Sequence, residues 1–227
     1  MPRFILVRHG ESVWNGERRI QGHRDPALSP RRRRQVALLA ARLRAHLPTP
    51  VAGIYTSPLQ RAAETAQRIA EAFALPVVPE PDFREMGLGA WEGLTVAEVR
   101  AAFPGAYERW LEDPATFPPP GGECLKAFSA RVVRAFESAG ARHAGADVVV
   151  VSHGGVIKAL LCHVLGLNPG SLFRIKQDNT ALSQVEVQGE TRRVALVNDT
   201  CHLSQAGSDL APRDVLTDAM GDADQAL

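Results

Sequence analysis

The sequence predicts an α/β fold, a single three-layer α/β/α domain with a mostly parallel sheet, on three observations. Short apolar runs of strand length alternate along the chain with segments of helical periodicity, the order that builds a largely parallel sheet covered by helices. The runs "FILV" at 4–7 and "VVVV" at 148–151 are apolar at every position, as strands buried on both faces are. A chain of 227 residues with 45% hydrophobic content can build one sizeable core.

Taken in order, strands are expected near residues 3–8, 52–56, 147–152, 182–187 and 193–197. Residues 30–47 read as an amphipathic helix, because Val36, Leu39, Ala40, Leu43 and Leu47 recur at helical spacing behind Ser29 as N-cap and Pro30 at the first position. "GIYTSPLQRAAETA" runs from strand into helix: Ser57 suits the N-cap, Pro58 the first position and Gln60 the third position of a capping box. Arg61 then falls in the first helical turn. "PATFPPPGG", residues 114–122, is a loop inside the domain. A second helix spans Gly155 to Leu165 and stops at Gly166, with Pro169 just beyond. From residue 206 the chain loses hydrophobic periodicity and turns acidic, so 206–227 is expected to be a disordered tail and 1–205 the domain.

Composition narrows the function classes. A net charge of +1 gives no basic footprint for nucleic acid or an anionic membrane, so any attraction for anions must be local. Cys124, Cys162 and Cys201 are far apart and form no CxxC pair, which suits buried thiols in a reducing compartment better than a disulfide framework or a zinc site. Only four apolar residues follow Met1-Pro2-Arg3, too few for a signal-peptide core, and no run approaches the roughly 18 apolar residues of a membrane span. A cytoplasmic protein is expected.

Both fully apolar strands end the same way. Arg8, His9 and Gly10 follow the first; His153, Gly154 and Gly155 follow the second. In an open α/β sheet, ligands bind beyond the carboxyl ends of the strands, where both histidines would stand. Arg61 adds a cation to a helix start that free N–H groups and the helix dipole already make positive, an unfavourable place unless an anion sits there. A planar guanidinium suits phosphate in particular. "DFREMGLGAWEG" supplies carboxylates, Glu85 and Glu92, in a stretch loosened by Gly87, Gly89 and Gly93; spacing alone does not choose between them.

"LVRHGESVWN", "RIQGHRDPALS", "SPLQRAAETA", "REMGLGAWEG" and "VVSHGGVIKAL", in this order, resemble the histidine phosphatase superfamily, in its branch of phosphoglycerate mutases, α-ribazole phosphatase and broad-specificity phosphatases. The resemblance covers roughly residues 1 to 203. It implies a phosphomonoester hydrolase acting on small phosphorylated metabolites, with no metal and no cofactor. His9 would be the nucleophile that becomes phosphohistidine; Arg8, Arg61 and His153 would clamp the phosphoryl oxygens. Glu85 would be the proton donor, Asn15 would bond the phosphate, and Gln21, Gly22 and Gly154 would line the pocket. It further implies a small lid insertion at about 86–125. The expected partner is a small-molecule phosphate ester, not nucleic acid or membrane, and a homodimer is left open.

Two departures from the pattern bear on this reading. Arg32, within the run Arg31 to Arg34, stands where relatives usually have glycine; the run lacks interleaved aromatics and reads as a solvated helix face. The stretch between Glu85 and His153 is shorter than in phosphoglycerate mutases, which carry an insertion there with basic residues for the substrate carboxylate. Here it holds Trp91, Phe103, Tyr107, Trp110 and Phe117, read first as core, with Arg100 and Arg109 as its main early cations. The other readings of the same residues are a cofactor-dependent phosphoglycerate mutase and a catalytically silent binding protein of this fold.

Overall fold

The computed structural model describes residues 2–28, 33–47, 50–143 and 145–204. Ser29 to Arg32, and with them the expected helix cap and half of the arginine run, lie outside the described residues, as does the 206–227 segment. The elements follow in the order β1 (Arg3–Arg8), α1 (Val13–Gly16), α2 (Arg33–His46), β2 (Val51–Thr56), α3 (Gln60–Phe73), β3 (Val77–Pro79), α4 (Val96–Ala102), α5 (Ala106–Glu112), α6 (Leu125–Arg142), β4 (Asp147–Ser152), α7 (Gly154–Val164), β5 (Leu182–Gln188) and β6 (Thr191–Asp199). One six-stranded sheet has the order β3-β2-β4-β1-β5-β6. Its first four strands pair in parallel, and β5 and β6 are added antiparallel.

Alternation along the strands divides the core in two. Phe4 and Leu6 of β1, Val148 and Val150 of β4, and Tyr55 of β2 face a cluster with Phe128, Val132 and Phe136 of α6 and Ile157, Leu160 and Leu161 of α7. Ile5, Val7, Val149, Val151 and Ile54 face the other way, onto Leu39 and Leu43 of α2 and Ala66 and Ile69 of α3. A strand buried on both faces has no position free to be polar, hence the unbroken apolar runs. The five expected strands are present, β1 and β4 at the expected bounds and β2, β5 and β6 with ends shifted by one or two residues; β3 is additional. Trp91, Tyr107 and Trp110 are buried in the first cluster, as their core reading requires. Residues 114–122 contain turns and no helix or strand.

The start of α3 corrects the capping expectation. The helix begins at Gln60, its N-cap residue is Leu59, and no side chain caps it. Ser57 is instead buried in the strand-to-helix turn, where its Oγ accepts from the Leu59 N–H at 3.3 Å and meets His153 at 2.8 Å. Arg61 remains in the first turn. Gly10 is required by packing: a Cβ there would stand 2.8 Å from Val36 Cγ2, so glycine lets α2 pack directly on the end of β1.

Candidate active site

Register brings the two histidines together. β1 and β4 pair in parallel with Arg8 opposite Ser152, and the His9 N–H continues the ladder to the Ser152 carbonyl at 2.9 Å. The next residue on each strand is therefore a histidine, and the rings stand 5.1 Å apart, edge to face. β2 runs alongside β4, with the Ser57 N–H bonded to the Val151 carbonyl, so the turn into α3 and Arg61 opens onto the same crevice. Three strand ends thus surround one cavity of about 490 Å³, in which Arg8, His9, Asn15, Gln21, Gly22, Arg61, Glu85 and Gly155 all take part. His153 is fully buried beside His9, and a Cβ on Gly154, the first residue of α7, would meet Arg8 Nε at 3.5 Å. Seven of the nine residues expected at the site line the cavity, and His153 and Gly154 follow β4 directly behind it.

The cationic side is held by backbone oxygens. Arg61 donates to the Arg24 carbonyl at 2.8 Å and the Gly22 carbonyl at 2.9 Å; its Nε has no protein partner among the described residues. Burial lowers its pKa to about 10, with Glu85 and Asp25 working against the shift, so it stays a cation at neutral pH. Arg8 donates to the Gln177 carbonyl. Asn15 fixes its Oδ1 by accepting from the Ser12 N–H at 3.0 Å, which leaves its Nδ2 donors for a ligand, and Gln21 is joined to the same Ser12 hydroxyl at 2.8 Å.

Both histidines are neutral rather than cationic. Burial first, then the Arg61 and Arg8 guanidiniums, hold His9 well below the ordinary 6.5. Burial and the same arginines, with His9 itself, do the same to His153. His9 Nδ1 stands 2.6 Å from the Gly10 carbonyl oxygen. A carbonyl only accepts, so the ring proton belongs on Nδ1 and the lone pair on Nε2. His153 Nε2 meets Ser57 Oγ, and its Nδ1 has no protein partner among the described residues.

The carboxylates are now distinguishable. Glu85 accepts from the Met86 N–H at 2.9 Å and the Gly155 N–H at 3.1 Å, at the edge of the cavity. Glu92 accepts from the His23, Leu88 and Arg24 N–H groups and is consumed in pinning two loops together. The glycine-rich stretch is also less free than its composition suggests, since Gly87 exchanges both backbone groups with Glu123, at 2.7 and 2.8 Å. Among the described residues, no group of three or more His, Cys, Asp or Glu side chains is placed to hold a metal, and no helix is long and apolar enough to cross a membrane.

Sequence reasoning missed three contributors. Ser57 looked like a helix cap. Gly155 was read only as helix, yet a Cβ there would fall 2.3 Å from Glu85 Oε1. The polar loop 177–180 carries no site signal in sequence, although it fastens the end of β1: Asn179 Nδ2 donates to the His9 carbonyl, and the Thr180 N–H donates to the Arg8 carbonyl. Its only signal is four polar residues in a row, which in sequence looks like a solvated turn.

A cavity holding a neutral imidazole, two fixed guanidiniums and a carboxyl group at parallel strand ends suits a phosphate dianion. The chain belongs to the histidine phosphatase superfamily, branch 1, whose family model matches residues 4–200. Within that class it is a phosphatase, a phosphoric monoester hydrolase. It is similar to phosphoserine phosphatase 1 of Hydrogenobacter thermophilus, 39% identical over 206 residues that cover 90% of this chain and 96% of the relative. Among solved structures, Bacillus stearothermophilus YhfR superposes with a TM-score of 0.83 at 34% identity, covering 89% of this chain and all of that one. A phosphoserine phosphatase variant from Entamoeba histolytica in complex with phosphoserine superposes with a TM-score of 0.79 at 28% identity, covering 89% of this chain and all of the other.

Proposed function

We propose that the chain hydrolyses phosphomonoesters through a phosphohistidine on His9, and the observation that carries this is the 2.6 Å contact of His9 Nδ1 with the Gly10 carbonyl oxygen, which assigns the ring proton to Nδ1. With its proton directed at the Gly10 carbonyl, the ring offers an Nε2 lone pair to the cavity and needs no base to release it. Nε2 attacks phosphorus as the ester P–O bond breaks, while Glu85 gives its proton to the departing oxygen. Arg8 and Arg61 face the charge on the phosphoryl oxygens; Asn15 and His153 add hydrogen bonds, and Gln21, Gly22 and Gly154 shape the rim. A water then bonds to phosphorus as the N–P bond breaks, and its proton returns to Glu85. Two guanidiniums supply what a metal would otherwise supply.

The leaving group occupies the outer part of the cavity, for which we read residues 86–125 as the lid. Met86, Leu88, Val96 and Trp110 of that stretch line it, opposite Ile20, Phe128, Leu172 and Phe173. Phosphoserine is the first substrate to test, given the relatives' activity. The apolar wall predicts that esters of larger, more apolar alcohols also turn over, with lower KM, each buried CH2 contributing about 0.8 kcal/mol. A mutase would need a second anion site to hold a bisphosphate. Arg19 is engaged by Glu17, Glu98 and the Gly93 carbonyl, and Arg100 by Glu108, so most of the outer cations are already paired.

The test measures phosphate release from phosphoserine, phosphosugars, phosphoglycerate and aryl phosphates in EDTA, beside phosphoglycerate interconversion. Release that survives EDTA without interconversion is expected. Interconversion without release would make the chain a mutase, and neither activity would make it a binding protein.

A further inference from the structure

Arg131 lies in α6, outside the cavity lining, yet three of its five side-chain hydrogen bonds go to the segment that carries Glu85 and the other two to Glu123, which holds Gly87 of the same stretch. Its Nε and one terminal nitrogen grip Glu123 in a two-pronged pair at 2.8 and 2.7 Å. The other terminal nitrogen donates to the Asp82 carbonyl at 2.8 Å and the Arg84 carbonyl at 2.7 Å. The remaining N–H reaches the Glu85 carbonyl at 2.8 Å. Five N–H donors of a guanidinium meet five acceptor contacts, so the group is saturated. Glu123 extends the clamp by accepting from the Gly87 N–H at 2.7 Å, and its own N–H returns to the Gly87 carbonyl. His23 Nε2 also stands 2.8 Å from the Glu85 carbonyl.

We infer that Arg131, with Glu123 as its partner, is a positioning residue that sets the Glu85 carboxyl group relative to the leaving-group oxygen. The inference rests on the reading of Glu85 as the proton donor. Residues 82–87 are anchored in the core by Phe83 and Met86 and at the Phe83 carbonyl by the Ser152 hydroxyl, but the carbonyls of Asp82 and Arg84, on either side of that anchor, and that of Glu85 itself are set by the Arg131 fork. Among the described residues the Glu85 side chain is tied by the Met86 and Gly155 N–H groups, so a shift of its backbone carries the carboxyl with it. Proton transfer demands hydrogen-bond distance, and a displacement of about 1 Å costs on the order of 100-fold. Lysine cannot replace the fork, since three donors on one nitrogen cannot reach acceptors spread over Asp82, Arg84, Glu85 and Glu123.

The experiment measures kcat/KM, which reports the phosphorylation step, for p-nitrophenyl phosphate, phenyl phosphate and an alkyl phosphate on the wild type, Arg131→Lys, Glu123→Gln and Glu85→Gln. A nitrophenolate leaves with little protonation, whereas an alkoxide needs the acid. Arg131→Lys is expected to lose about 10- to 100-fold on the alkyl ester and less than about 3-fold on the nitrophenyl ester. Glu123→Gln should change in the same direction by a smaller factor, and it decides the matter if Arg131→Lys does not fold. Equal losses on all three esters, or none, while Glu85→Gln shows the steep dependence on leaving group, would overturn the positioning role. A flat dependence in Glu85→Gln itself would instead overturn the assignment of the acid.

Discussion

Glu85 and Glu92 stand in the same glycine-rich stretch, and only their partners tell them apart. Glu92 is consumed by three backbone N–H groups from two loops, whereas Glu85 is bonded at the cavity edge to Met86 and Gly155. Glu85→Gln should therefore slow phosphorylation by alkyl esters by about 100- to 10,000-fold and by nitrophenyl phosphate far less. Dephosphorylation slows with either substrate, so phosphoenzyme should accumulate during aryl phosphate turnover, as labelled-substrate time courses would show. Equal losses on both ester classes would move the acid elsewhere. Arg8, His9 and His153 were legible because polar groups at the ends of buried strands need a reason to be there, and Arg61 because a cation in the first turn of a helix does. Ser57, Arg131 and loop 177–180 were not, because each acts through a carbonyl or hydroxyl brought near by tertiary structure, and no local pattern records that.

At the scale of elements, β1 and β4 announced themselves by apolar runs, and α2 by its helical stripe. β3 did not, since three residues ending in Pro79 are too few for a period to show. α3 begins later than its Ser-Pro signal, with Leu59 at the N-cap, and the Ser57 hydroxyl serves the turn before it by accepting from the Leu59 N–H and meeting His153. The close approach of α7 to Glu85 yields a prediction of its own. A Cβ on residue 155 would lie 2.3 Å from Glu85 Oε1, so Gly155→Ala must displace the carboxyl group. Alanine in a helix is otherwise favourable over glycine, by up to about 1 kcal/mol. Gly155→Ala should keep or raise Tm and lose about 10- to 100-fold in kcat/KM on alkyl phosphates. Full activity in that variant would show that the Glu85 placement is not what the alkyl substrate requires.

For the whole molecule, the site carries a stability cost that depends on pH. His9 and His153 are neutral when folded, well below 6.5, but titrate near 6.5 when the chain unfolds. Below that pH the unfolded chain binds more protons, so stability falls as pH drops, by up to about 2.7 kcal/mol per pH unit from the pair. Above it neither contributes. In phosphate-free buffer the urea midpoint should be lower at about pH 5.5 than at about pH 7, and an equal midpoint would mean that the folded histidines are charged. The central claim concerns the covalent bond that this buried, neutral ring can form. It is tested most directly by rapid quench of labelled substrate with the wild type and His9→Ala. The account predicts an acid-labile, base-stable phosphoprotein in the wild type and neither phosphoprotein nor turnover in His9→Ala. A phosphohistidine still formed by His9→Ala would contradict it and move the nucleophile to His153.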